Sequence, residues 1–311
     1  MRKIIACVAV LCLLLCGCSP QSTEKDDGKI KITATLFCEY DFARAAAGDA
    51  ARIKMLIPAG SDIHSYEPSL DDLAAVKQSD VFIYIGAQSD VWLEKILQNI
   101  DTRKTAVIKM SDYVSLIRES HDEHEHEHHG ATHNEAEYDE HIWTSPENAR
   151  KMIDAVCTVL SDKYPDKAEE FRQNTLAYKQ KIDAADRQTA EIINAAKNKK
   201  IVVADRFPFE YFTQYYGLYH DQAFGGCEQD TDIDIMTAAR LINTVKSENL
   251  SAVYRIELSS GATAQAVARK TGVPVLELHS AHNISAQDFK DGTTYVDIMY
   301  RNAQALREGL N

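Results

Sequence analysis

Apolar and polar positions alternate along 30–37 (IKITATLF), the two-residue period of a strand, and a helical pattern begins over 41–48. The stretch 53–57 reads as a second strand, ending at Pro58-Ala59-Gly60, and 69–78 reads as a helix. A short apolar run, 81–85 (VFIYI), has the look of a strand buried on both faces. Helical spacing follows over 91–100 and an extended segment over 106–109. After an interruption the same alternation resumes: strands are predicted at 200–204, 252–257 and 273–278, and helices at 208–216, 263–271 and 295–310. Alternating strands and helices predict an α/β fold with two parallel-sheet lobes.

Between the halves, Phe171, Thr175, Tyr178, Ile182, Ala185, Thr189, Ile192 and Ala196 recur at steps of three and four. From Pro165 to Gly217 the only further breaker is Pro208, so one rigid helix over 166–197 is expected to join the lobes. Ala and Thr make poor knobs for a coiled-coil seam, which favours a connector packed along both lobes. The expected organisation is a signal peptide at 1–17, a polar tether at 18–29, a first lobe at 30–165 with an inserted loop at 119–138, the helix at 166–197, and a second lobe at 198–311. A ligand cleft is expected beyond the carboxyl ends of the strands.

The amino terminus sets the compartment. Met1-Arg2-Lys3 is a short basic stretch, and the apolar run over 4–15 is too short for a permanent span but suits an export signal. Leu15-Cys16-Gly17-Cys18 resembles a bacterial lipobox, which makes Cys18 the expected lipidation site and places the chain outside the cytoplasm on a membrane anchor. Cys7, Cys12 and Cys16 would leave with the signal. Cys38, Cys157 and Cys227 remain, an odd number with no C-x-x-C pair, so a thiolate zinc site is not expected. The net charge of −13 argues against nucleic acid or an anionic membrane surface as partner.

Six of the eleven histidines (His121, His124, His126, His128, His129 and His133) crowd into HDEHEHEHHGATH. Imidazoles interleaved with carboxylates suit a borderline metal held loosely, so this tract reads as a weak zinc collector. His124 to His128 also matches H-E-x-x-H, but that hydrolase motif requires a stable helix, and a repetitive charged tract does not supply one. The ordered site is expected where four residues sit just past predicted strands or enter a helix: His64, His141, Asp205 and His279.

The stretches GSDIHSYEPSLDDLAAVKQSDVFIYIGA, DEHIWTSPENA, VVADRFPFEYF and VLELHSAHNISAQDF occur in one order along the chain. In them the sequence resembles a solute-binding lipoprotein of the zinc/manganese ABC-transporter family (cluster A-I, zinc-binding branch with a His-rich loop). The resemblance implies one metal ion between two α/β lobes, with His64 and His141 from the first and Asp205 and His279 from the second. Many zinc members have histidine where Asp205 stands and a carboxylate where His279 stands, so Glu257 is held as a substitute for Asp205. His282 and Glu140 are expected beside the site rather than as ligands, and Tyr66, Trp143 and Phe207 are expected to wall the cleft. Three imidazoles and one carboxylate suit tetrahedral Zn2+, while Mn2+ prefers more oxygen donors.

The function so implied is capture of Zn2+ and its delivery to an ABC-transporter permease by a monomer that is not an enzyme. The alternatives are a manganese or iron importer component of the same architecture, a surface adhesin and a metal-dependent hydrolase. Zinc must displace protons from imidazole, so affinity is expected to fall as pH drops through about 6.5.

Overall fold

The computed structural model describes residues 27–61, 66–86, 90, 93–98, 100–118, 138–225 and 235–311. Cys18, His64, Cys227 and the six histidines of the tract lie outside them.

In the first lobe, β1 (Ile30–Ala34), α1 (Phe37–Ala47), β2 (Ala51–Met55), α2 (Leu70–Gln78), β3 (Val81–Tyr84), the one-turn α3 (Glu94–Leu97) and β4 (Ala106–Lys109) alternate in sequence. Their strands form a parallel sheet in the order β2-β1-β3-β4, with Ile32 opposite both Ile53 and Val81. The VFIYI run is buried on both faces, as its composition predicts: Val81, Ile83 and Ile85 enter the main core, while Phe82 packs with Leu56, Val76 and Leu93 on the other side. The predicted helix over 91–100 shrinks to the single turn of α3.

α4 (Pro146–Lys163) covers this sheet, and α5 (Ala168–Ala195) leads away from it. At 1.5 Å per residue, the 28 residues of α5 span about 42 Å. Phe171, Tyr178, Ile182 and Ala185 pack into the first-lobe core and Ile193 into the second, so the helix runs along both lobes.

The second sheet contains β5 (Lys200–Arg206), β6 (Tyr219–Phe224), β7 (Val253–Arg255) and β8 (Val275–Glu277), in the order β6-β5-β7-β8. α6 (Glu210–Tyr216), α7 (Ile235–Ser247) and α8 (Ala262–Thr271) connect them. Ile201 and Val203 face one core, Val202 and Ala204 the other. β6 reads YHDQAF, a polar edge strand without apolar alternation, which is why periodicity does not reveal it. In each sheet the chain crosses between the first and third strands in sequence, β1/β3 and β5/β7. This topological switch opens a crevice at the strands' carboxyl ends.

The lobe boundary at 198–311 needs correction. After β8 the chain returns to the first lobe: Ala281 and Ile284 join its core, followed by Tyr295, Val296, Ile298 and Met299 at the start of α10 (Tyr295–Gly309). The last part of α10 crosses back, placing Leu306 with Leu310 in the second core. A short helix, α9 (Ala286–Lys290), lies between. Two helices, α5 and α10, therefore bridge the lobes. Asp41 on α1 ties them together: its buried carboxylate accepts from the Tyr178 hydroxyl on α5 and from the Tyr295 N–H at 2.8 Å, with Arg44 alongside. Burial pushes the Asp41 carboxyl up against the opposing pull of Arg44 and these donors.

Candidate metal centre

The DEHIWTSPEN stretch folds into a tight turn that presents His141. The Thr144 hydroxyl and N–H both donate to the His141 carbonyl, at 2.8 and 3.1 Å. Asn148 donates to the Ile142 carbonyl at 3.0 Å, and Ser145 with Pro146 starts α4. Behind His141, the Asp139 carboxylate accepts from the His141 backbone N–H at 2.8 Å and lies 3.2 Å from its Nδ1. A carboxylate on Nδ1 holds the ring proton there and turns the Nε2 lone pair toward a metal.

Trp143 joins this turn to the segment that follows β8. Its indole N–H donates to the Ser280 carbonyl at 2.7 Å, and its own carbonyl accepts from the Tyr295 hydroxyl at 2.6 Å. The His282 ring sits 5.0 Å from the His141 ring and 4.9 Å from the Trp143 ring, centroid to centroid. Ala281 turns the chain between Ser280 and His282 at φ 61, a left-handed conformation that costs a residue with a Cβ about 1 kcal/mol.

Glu140, His141 and His282, all buried, each offer a donor atom within 4.8 Å of the others. Among the described residues this is the one group of three or more potential ligands so placed. Tetrahedral zinc with bonds near 2.1 Å needs donors about 3.4 Å apart, so the side chains need close by only about an ångström around the ion. His282 and Glu140, expected beside the site, thus stand within it.

The structure does not bring His279 into this group. Asn302 clamps its backbone from both sides, accepting from its N–H and donating to its carbonyl at 2.8 Å each. Its Nδ1 accepts from the Ala281 N–H at 3.0 Å, which leaves the neutral ring's proton on Nε2, where a ligand needs its lone pair. The ring instead borders a small aromatic cavity with Phe209, Phe212 and Tyr216. Glu257 is engaged by Ser280, accepting from its N–H at 2.7 Å and from its hydroxyl.

Asp205 lies at the carboxyl end of β5, beside the second sheet's switch point. One of its oxygens accepts from Arg206 N–H at 2.9 Å; the other accepts from the Ser259 hydroxyl and Ile256 N–H. It is not among the three clustered residues.

His64 lies outside the described residues, but both flanks of its loop are fixed. Asn283 donates to the Pro58 and Ser61 carbonyls at 3.0 and 2.7 Å, and Gly60 N–H donates to the Ile284 carbonyl at 2.7 Å. On the far side the Tyr66 hydroxyl donates to Asp72 at 2.8 Å. The chain just before His64 is therefore held by the residue next to His282. Of the expected wall residues, Trp143 packs against both His141 and His282, whereas Phe207 stacks on His220. The Asn283-Ile284-Ser285 stretch that follows His282 leads into a capped helix, with Ser285 accepting from the Asp288 N–H.

Residues 32–309 match the family model described as ZnuA, zinc-uptake complex component A periplasmic. The chain is 33% identical over 309 residues to the zinc-binding lipoprotein AdcA of Streptococcus pneumoniae serotype 4, covering 99% of this chain and 61% of that protein. It thus spans about three-fifths of the length of that relative. It is 24% identical over 307 residues to the high-affinity zinc uptake system protein ZnuA of Bacillus subtilis, covering 97% of this chain and 96% of that one. Among solved structures, the Zn(II)-bound ZnuA-like domain of S. pneumoniae AdcA superposes with a TM-score of 0.75 at 30% identity, over 91% of this chain and 99% of that domain. With its two switch-point sheets, bridging helices and buried His-Glu cluster, the chain belongs to the ZnuA family of zinc-uptake components.

Proposed function

We propose that this protein captures Zn2+ outside the cytoplasm and delivers it to an ABC-transporter permease, tethered to the membrane by lipid on Cys18. The observation that carries this reading is the buried Glu140–His141–His282 group, whose chemistry suits zinc. His64 adds the third imidazole. Glu140 supplies the carboxylate as the lobes stand. Asp205 is the second-lobe carboxylate that would replace it if the lobes approach further. The metal is cargo, bound by a closed donor set that leaves no open position for a substrate, which is the reason to expect transport rather than catalysis. The histidine tract serves as a weak collector.

Competition titration of the mature chain with Zn2+ against a chelator tests the proposal, alongside Glu140→Gln and Asp205→Asn. One tight site weakened by Glu140→Gln supports the arrangement as described. Loss in Asp205→Asn alone assigns the carboxylate to the second lobe. Absence of any tight site in the parent chain overturns zinc capture.

A further inference from the structure

A side chain of α6 in the second lobe reaches into the first-lobe core. Tyr211 belongs to α6, whose neighbours Phe209 and Phe212 pack in the second-lobe core, yet its own ring lies in the first-lobe core. Its hydroxyl accepts from the Ile117 N–H at 2.9 Å and donates to the Asp139 carbonyl at 3.0 Å. Ile117 and Asp139 are themselves paired, Asp139 N–H donating to the Ile117 carbonyl at 3.0 Å. The phenol thus binds where the segments at Ile117 and Asp139 pair. Burial, the dominant effect, pushes it up to about 12, so it remains a donor at every physiological pH.

Asp139 is the residue whose carboxylate meets both the backbone N–H and Nδ1 of His141. A second-lobe hydroxyl therefore fixes the peptide from which the carboxylate orienting His141 projects. Resting on the assignment of His141 as a zinc ligand, we propose that Tyr211 is a positioning residue that makes the grip of His141 depend on the placement of the second lobe. When the lobes shift, the Tyr211 hydroxyl leaves the Asp139 carbonyl, Asp139 loses its register with Nδ1, and His141 lets go of the ion. Delivery to a permease then needs a displacement that breaks the Tyr211–Asp139 hydrogen bond, with no direct attack on the ligands.

The test is the rate of zinc loss to excess chelator from the metal-loaded full chain, for the parent, Tyr211→Phe, Asp139→Ala and the double variant. Tyr211→Phe is expected to speed zinc loss about tenfold, the lower end for groups supporting a ligand. In the Asp139→Ala background the same hydroxyl deletion should change the rate less than about twofold, because the carboxylate it positions is gone. The visible bands of the Co2+-loaded protein should shift in Tyr211→Phe as they do in Asp139→Ala.

A rate unchanged in Tyr211→Phe overturns the proposal. So does an equal acceleration in both backgrounds, the mark of a merely structural hydrogen bond. Should Tyr211→Phe lower the unfolding midpoint of the apoprotein, Asp139→Asn, which keeps the acceptor for the His141 N–H but not the charge on Nδ1, must still show the tenfold acceleration. His141→Ala serves as the separate control: tight zinc retained there would sink the ligand assignment itself.

Discussion

The two sides of the cleft use the same residue types in different ways. On the first-lobe side, Glu140, His141 and His282 converge, and Trp143, Asp139 and the Ala281 turn hold them in place. On the second-lobe side, Asp205 and Glu257 take hydrogen bonds from their own surroundings, Ser259, Ile256 and Ser280. The contrast teaches that a histidine or carboxylate past a strand is not thereby a ligand. What decides is whether the neighbouring hydrogen bonds leave the donor atom aimed outward or consume it. It also teaches that the clustered donors all come from the first-lobe side.

The largest effect expected from breaking this contrast is on binding. His282→Ala should weaken zinc about a thousandfold, on the order of 4 kcal/mol, because a ligand is removed from a closed set. His279→Ala should cost less than about tenfold. Competition titration of the two variants measures the difference, and reversed values would return the ligand role to His279.

A second test breaks the tie that makes the first body continuous. Asp41→Ala strands the Tyr178 hydroxyl and the Tyr295 N–H in the core, and should lower urea-measured stability by about 3 kcal/mol. The companion substitution Glu147→Ala, at an exposed pair with Lys151, should change it by less than about 1 kcal/mol.

A smaller effect sharpens the comparison through pH. Glu39 is fully buried behind the β1–α1 turn, where one oxygen accepts from the Thr35 and Leu36 N–H groups and the Thr35 hydroxyl. Burial first, then the nearby Asp90 carboxylate, pushes it up to about 8. A carboxyl raised on folding holds its proton in the native state, so its contribution is complete below about pH 4.5 and is lost as pH rises toward 8. Between pH 5.5 and 7 the parent should therefore lose on the order of 2 kcal/mol relative to Glu39→Gln. Urea midpoints of both apoproteins across that range would show it, and parallel curves would refute it.

Much of the fold was legible in the sequence. VFIYI announces a doubly buried strand, and the Phe171–Ala185 stripe announces the long helix, with Ile193 rather than Ile192 carrying its buried end. β6 was not legible, since an edge strand of polar residues has no core face to mark it. Of the site, His141 could be read because a Ser-Pro helix start follows it at fixed spacing. The sequence pointed to His279 as ligand with His282 beside the site, whereas His282 is the one that clusters with Glu140 and His141, because position after a strand does not record which ring nitrogen a neighbouring N–H will occupy. Nor does a linear pattern show that residues after β8 rejoin the first lobe. That return depends on Trp143 meeting Ser280, a contact spanning 137 positions.

The same return sets an order in time. Synthesis and export run amino terminus first, so Glu140 and His141 emerge long before His282. Contacts this distant in sequence form late, after the loop between them has been closed. The Glu140–His141–His282 cluster is thus among the last parts of the molecule to exist. A partly emerged chain presents only half of it.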